Sequence, residues 1–179
     1  MKDLNIIYIN NLKKEIKDIK KDIIKDCIKT RKNANYSFQI FTKHHKKVYS
    51  IFIKKCKKSL KKFKIKNKET KLWSYFTDKN YFQDGEFHDH FRTCTICGVL
   101  YLETVENCGI YFEYNNKILY LEPKPYDLLI FPNFLKHKPV ASKNKKRISL
   151  NLELTCTEPS DKIFNICLLY TSDAADEED

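Results

Sequence analysis

Apolar residues recur along the first third of this chain at three- and four-residue steps. Leu12, Ile16, Ile19, Ile23, Cys27 and Ile28 form one such stripe, with Lys, Asp and Glu filling most positions between them. That period puts them on one face and predicts an amphipathic helix. Asn33, Ala34 and Asn35 break it, and Val48, Phe52, Cys56, Leu60 and Phe63 then set up a second helix. From Leu72 the period shortens. LWSYF, TICGVLYLE, GIYFEY, KILYLE, DLLIFP and RISLNLEL are short runs rich in β-branched and aromatic residues, parted by turn-forming residues, and read as strands. Asn115 and Asn116, which tolerate positive φ, mark a hairpin, and residues 107–109 and 143–145 mark further turns. Strands this short and closely spaced predict a sandwich or barrel. The two striped helices need an apolar surface to cover, which one face of that sheet system provides. The fold class expected is α+β, mainly β, with N-terminal helices on the outer face of a barrel.

Bulk properties add bounds. A chain of 179 residues suits one domain with a real core, and 42% hydrophobic and 13% aromatic residues exclude a disordered chain. No apolar run approaches the roughly 18 residues of a membrane span. MKDLNIIYINN lacks the apolar stretch and cleavage site of a signal peptide, so a soluble cytoplasmic protein is expected. Its seven cysteines are then expected to be thiols. Cys94 and Cys97 have C-x-x-C spacing without a second pair or suitably placed His, and read as buried strand cysteines rather than a zinc site.

Charge is informative at the end of the chain. CLLYTSDAADE, from Cys167, resembles the in-frame translation of an adapter used in preparing sequencing libraries. Residues 167–179 are therefore expected to be an unpacked scar, with the natural C-terminus missing. Taking away the negative charges of Asp173, Asp176, Glu177, Glu178 and Asp179 raises the net charge from +11 to +16. A balance this basic is compatible with nucleic acid or another polyanion. AT-rich coding bias accounts for it better, since Lys, Ile, Asn, Phe and Tyr abound and Gly occurs three times. Nine lysines between Lys54 and Lys68 read as a solvated helix face, and His44 and His45 as solvent-facing.

The chemistry concentrates in GEFHDHFRTCTICGVLYLE. In a strand, residues two apart share a face, so His88, His90 and Glu86 point one way and Phe87, Asp89 and Phe91 the other. Two imidazoles so placed can chelate one ion, and a third ligand is wanted. His137, just past the apolar run that ends at Pro132, is the best placed. Ten residues on, Arg147, Ser149, Asn151 and Glu153 alternate with Ile148, Leu150, Leu152 and Leu154. By itself that pattern describes an edge strand with its polar side in water; beside the histidines it can line a polar funnel.

In order, WSYF, HDH, CGVLY, PKPYDLLIFPNFLKH and RISLNLEL resemble the motifs of the iron(II)/2-oxoglutarate-dependent oxygenases, in particular a group found in phages and bacteria. The resemblance spans Leu72 to Leu154. It implies a double-stranded β-helix, a jelly-roll, cupin-like barrel. It also implies iron(II) on His88, His90 and His137, and 2-oxoglutarate held at its distal carboxylate by Arg147 and Ser149. Three facial ligands leave positions for a bidentate 2-oxo acid and O2, and a guanidinium's fork matches a carboxylate. The implied reaction hydroxylates a substrate with release of succinate and CO2. The substrate classes this leaves open are a protein side chain, a nucleobase and a small metabolite, and the expected compartment is the cytoplasm, that of a virus-infected host cell included. The wider superfamily uses H-x-D, so His90 implies either a three-histidine site or one completed by Glu86 or Asp89. Tyr126 stands where a turn glycine is expected, and Cys97 where the group has Ser.

The domain expectation is a helical region over 1–70, the catalytic barrel over 71–166 and the scar beyond. Two other functions compete. A cupin-type metal protein without 2-oxoglutarate would share the barrel but has no need of Arg147. A basic nucleic-acid-binding module would explain the lysines and leave the order of histidines and arginine unexplained.

Overall fold

The computed structural model describes residues 6–30, 44–66, 71–78, 85–140 and 146–166; residues 143–145 and the tail from Cys167 lie outside them. Among the described residues, eight strands make two antiparallel sheets. β1 (Tyr8–Asn11), β6 (Asp127–Pro132), β3 (Ile96–Glu103), β8 (Arg147–Leu154) and β2 (Lys71–Thr77) form a five-stranded sheet in that order. β5 (Lys117–Leu121), β4 (Ile110–Tyr114) and β7 (Lys136–Pro139) form the other. The arrangement is the double-stranded β-helix.

Strict alternation divides the five-stranded sheet into two apolar faces. Ile96, Leu100, Leu102, Leu128, Ile130, Ile148, Leu150, Leu152 and Leu154 point outward and join one core with the helices. Cys97, Val99, Tyr101, Leu129 and Phe131 point inward and meet Ile110, Phe112 and Leu135 from the smaller sheet's side. The predicted stripes supply the helical half of the outer core. Leu12, Ile16, Ile19, Ile23 and Cys27 are buried along α1 (Lys13–Ile16) and α2 (Lys20–Thr30), and Val48, Phe52 and Cys56 along α3 (His45–Ser59). The first stripe is carried by two helices rather than one, and Ile28 at its end is 46% exposed, Ile24 taking the buried place. No helix among the described residues is long and apolar enough to cross a membrane.

Other departures have local causes. β1 exists because its backbone pairs with β6, Tyr8 opposite Ile130 through Asn11 opposite Asp127, although YINN is half polar. β7 forms with lysines at two of its four positions because it pairs with β4 and holds His137 inward. The helix α4 (Ser160–Phe164) follows β8 and packs Ile163 and Phe164 into the outer core. His45 is buried against Tyr49, where a solvent-facing ring was expected, because the first turn of α3 lies over the sheet; His44 is half-buried and 3.3 Å from Asp22. The Asn115–Asn116 hairpin has φ of 50° and 57°, as two-residue turns require. Tyr126 takes φ 77° at the position expected of a glycine. Its N–H donates to Tyr101 O at 2.7 Å and its carbonyl accepts from Leu12 N at 2.9 Å, which ties the turn between β3 and α1.

Gly98 sets how closely α3 approaches β3. A Cβ there would lie 2.5 Å from Phe52 Cε2, inside van der Waals contact with a ring that is 1% exposed. Gly98→Ala should therefore destabilise the fold by roughly 1–3 kcal/mol through overpacking. Trimming the ring with Phe52→Leu in that background should recover part of the loss. Denaturant unfolding of the two variants and their combination checks this; an additive pair would show that the ring does not press on residue 98.

Candidate metal centre

The segment bearing His88 and His90 is not the strand that the alternation suggested. His88 makes a single antiparallel bridge to His137, with His88 N–H donating to His137 O at 3.1 Å and His137 N–H to His88 O at 2.9 Å. The chain then turns at residues 91–93, because Asp89 Oδ1 accepts from Phe91 N and His90 O accepts from Thr93 N. Asn133 fixes this turn from the far side. Its backbone carbonyl accepts from His90 N at 2.8 Å, and its side-chain Nδ2 donates to Cys94 O at 2.7 Å.

The result brings three imidazoles together from two places in the sequence. One ring nitrogen of each of His88, His90 and His137 lies within 4.8 Å of the others, and the ring centroids are 4.4–5.3 Å apart. Hydrogen bonds decide which nitrogen that is. His88 Nδ1 sits 2.8 Å from Glu86 O, His137 Nδ1 3.0 Å from Leu135 O, and His90 Nδ1 2.9 Å from Glu153 Oε1. Each Nδ1 thus donates, and each Nε2 keeps its lone pair for a metal. Three imidazole donors suit zinc, copper, nickel or iron. Glu86 contributes its backbone carbonyl to this arrangement, while its side chain is exposed; Asp89 is exposed and occupied in its turn. Neither joins the metal-ligating group found among the described residues, which is histidine throughout. Cys94 and Cys97 lie buried with their sulfurs 3.4 Å apart.

His137 is 5% exposed, walled by Phe131 and Phe112. Burial, joined by the neighbouring His88 and His90, lowers its pKa from 6.5 to about 3. It is therefore a neutral, ligand-ready ring at neutral pH. Glu153 shows the opposing balance. Burial pushes its carboxyl up, but the His90 ring, the Thr93 hydroxyl at 3.0 Å and Lys71 bring it below the ordinary carboxylate value.

Arg147 and Ser149 open onto the same cavity as the three histidines, together with Trp73, Tyr75, Tyr101 and Asn151. Arg147 is 1% exposed. Its Nη2 donates to Tyr101 Oη at 3.4 Å, and its guanidinium carbon lies 4.8 Å from the Tyr75 ring centroid and 5.2 Å from that of Tyr101. Among the described residues, its Nε and Nη1 and the hydroxyl of Ser149 have no hydrogen-bond partner. The strand carrying them is central, between β2 and β3, with no edge to water. Glu153 and Thr93 are the site residues not assigned from sequence. Glu153 had been placed on the inward row of β8, but its pairing with a histidine 63 positions earlier has no local signal.

No protein-family model matches the chain, and no curated protein matches its sequence. Solved structures do match its fold. The viral collagen prolyl hydroxylase of Paramecium bursaria Chlorella virus-1, solved with 2-oxoglutarate, superposes with a TM-score of 0.62 at 13% identity, over 86% of this chain and 97% of that one. A prolyl-4-hydroxylase of Pseudomonas putida gives 0.60 at 11% identity, over 83% and 91%. The Trichoplax adhaerens prolyl hydroxylase, in complex with a hypoxia-inducible-factor peptide, gives 0.57 at 12% identity, over 84% of each. At such identities the likeness is one of fold.

The depressed pKa of His137 has a thermodynamic consequence. The unfolded chain takes up a proton on this ring near pH 6.5, while the folded barrel refuses it until about pH 3. The metal-free fold thus has its full stability above pH 6.5 and loses it as pH falls, by roughly 2 kcal/mol at about pH 5. Thermal unfolding of chelator-treated protein across this range should show that loss, and His137→Gln should flatten it. A wild-type profile as flat as the variant's would place the proton elsewhere.

Proposed function

We propose that this protein is an iron(II)- and 2-oxoglutarate-dependent oxygenase that hydroxylates its substrate with release of succinate and CO2. The observation that carries the reading is the unanswered donor set of Arg147 and Ser149 beside three convergent imidazoles. A guanidinium keeps its proton in any protein interior. Leaving it buried and unpaired costs several kcal/mol, and cation–π contacts of about 0.5–2 kcal/mol each do not offset that. A carboxylate brought in by a ligand does, since it can accept from Nε and Nη1 as a fork and from Ser149 as well. A second acid function at the other end of that ligand would then lie toward the histidines. A 2-oxo diacid has this shape, and iron(II) is the metal whose chemistry uses it.

Bound iron supplies the oxidative step with O2. The protein's own residues supply the rest. His88, His90 and His137 offer Nε2 donors to the metal, Arg147 and Ser149 orient the cosubstrate, and Tyr75, Tyr101 and Val99 exclude water from around it. A metal-holding barrel that did not use an acid cosubstrate would gain nothing from a buried cation ten residues past His137. The three structures described above are prolyl hydroxylases by name. Half-buried Trp73 adds an aromatic face to the cavity. The likeness to those three structures favours a peptidyl side chain as substrate over a nucleobase or a free metabolite. The domain reading that fits is a barrel core over 71–166, joined at its sheet edge by β1, with α1, α2 and α3 packed on the outer face.

Two substitutions separate the roles. His137→Ala leaves two imidazoles and should abolish stoichiometric iron(II) uptake, followed by metal analysis after desalting. Arg147→Leu should keep iron(II) uptake near the wild-type level while raising the 2-oxoglutarate requirement at least roughly tenfold in a succinate-formation assay, the loss expected for one charge-assisted pair. Iron content unchanged in the first variant would remove the metal assignment. Equal loss of metal affinity and an unchanged cosubstrate requirement in the second would favour a barrel that does not use 2-oxoglutarate.

A further inference from the structure

We propose that Glu153 is a positioning residue that supplies negative charge to the metal centre from one step back, through the imidazole of His90. The proposal rests on reading His88, His90 and His137 as the metal ligands. Three neutral imidazoles leave both charges of a divalent ion uncompensated, in a cavity that already contains the buried Arg147 cation. A centre so arranged holds its metal more weakly than one with an anion close by. The three rings are not equivalent in this respect. His88 and His137 donate their Nδ1 protons to backbone carbonyls, whereas His90 donates to a carboxylate that is itself 5% exposed.

A carboxylate behind an imidazole fixes the ring's tautomer and plane, and raises the basicity of the nitrogen facing the metal. Glu153 is held for that task. Thr93 Oγ1 donates to the same Oε1 at 3.0 Å, and the main chain of Glu153 is locked in β8 between β2 and β3. The competing explanation is a structural ion pair with Lys71, whose Nζ is 3.5 Å from Oε2. Lys71 is 46% exposed on its side chain, and a pair so open to solvent contributes little. It does not account for the orientation of Oε1 toward His90.

The test is cobalt(II) and iron(II) affinity, measured by chelator competition, with the visible ligand-field bands of the cobalt(II) protein as a second readout. Glu153→Gln should weaken affinity roughly 10–100-fold and shift the cobalt bands, while the metal-free melting temperature stays near wild type. In a His90→Asp background, residue 90 brings its own charge, and the same Glu153→Gln change should cost within about twofold. If Glu153→Gln does not fold, Glu153→Asp, which draws the charge back from Nδ1 by one methylene, should weaken affinity in the same direction. Unchanged affinity and bands in the single variant, or the same loss in both backgrounds, would overturn the proposal while leaving the three-histidine site standing. A wild-type protein that takes up neither metal would overturn both.

Discussion

In a strand covered on both faces, every side chain has to be satisfied by what lies on its own side, and β8 carries that constraint furthest. It runs between β2 and β3, with Leu100 opposite Leu150 and Tyr101 opposite Ser149. Ile148, Leu150, Leu152 and Leu154 go to the helices, and Arg147, Ser149, Asn151 and Glu153 go inward. A slip of one residue would exchange the two sets, sending a guanidinium and a carboxylate against α3 and leucines into the cavity. The apolar burial that selects the correct register is therefore also what assembles the site. Burial of those four aliphatic side chains, at about 1.5–3 kcal/mol each, exceeds the cost of one unpaired arginine. The fold can tolerate the buried cation because the other face of the same strand outweighs it.

The inward row is also ordered by charge. Glu153 at one end pulls on His90, Arg147 at the other has no anion beside it among the described residues, and the neutral Asn151 and Ser149 lie between. Six residues of extended chain separate the two charged positions, on the order of 20 Å along the backbone. On the proposed reading the negative end would serve the metal and the positive end an acid, so the two groups would neither neutralise each other nor compete for one ligand. An arginine placed two residues nearer would have had Glu153 within easier reach.

Much of this was legible from alternation, and the rest depended on distance along the chain. The helical stripes, the six apolar strands and the Asn115–Asn116 turn are written in periods of a few residues and in φ preferences. The inward row of β8 is likewise visible in RISLNLEL, and the facing pair His88 and His90 in HDH. β1 and β7 were not visible, because YINN and KHKP lack an apolar period and become strands only where β6 and β4 offer a partner edge. His88 and His90 converge through a turn built by Asp89, Thr93 and Asn133, not through the pleat from which their common face was inferred. Glu153 was placed on the correct side of its strand, but no local pattern could tell that its partner would be His90. Buried His45 shows the same limit: a histidine at a helix start reads as polar until the sheet beneath it is known.

The bridge between His88 and His137 gives the molecule a mechanical property as well as a chemical one. His137 belongs to β7 in the three-stranded sheet, and His88 is laced to it through two backbone hydrogen bonds. His90, two residues on, is anchored instead to Asn133 after β6 and, through its ring, to β8, both in the five-stranded sheet. An ion gripped by all three rings would act as a clasp across the seam where the two sheets meet. The free energy of gripping it would then be free energy resisting the parting of that seam. The end of the barrel that admits a substrate would be the end whose stiffness is set by metal occupancy, while the helix-backed wall stays rigid in either state.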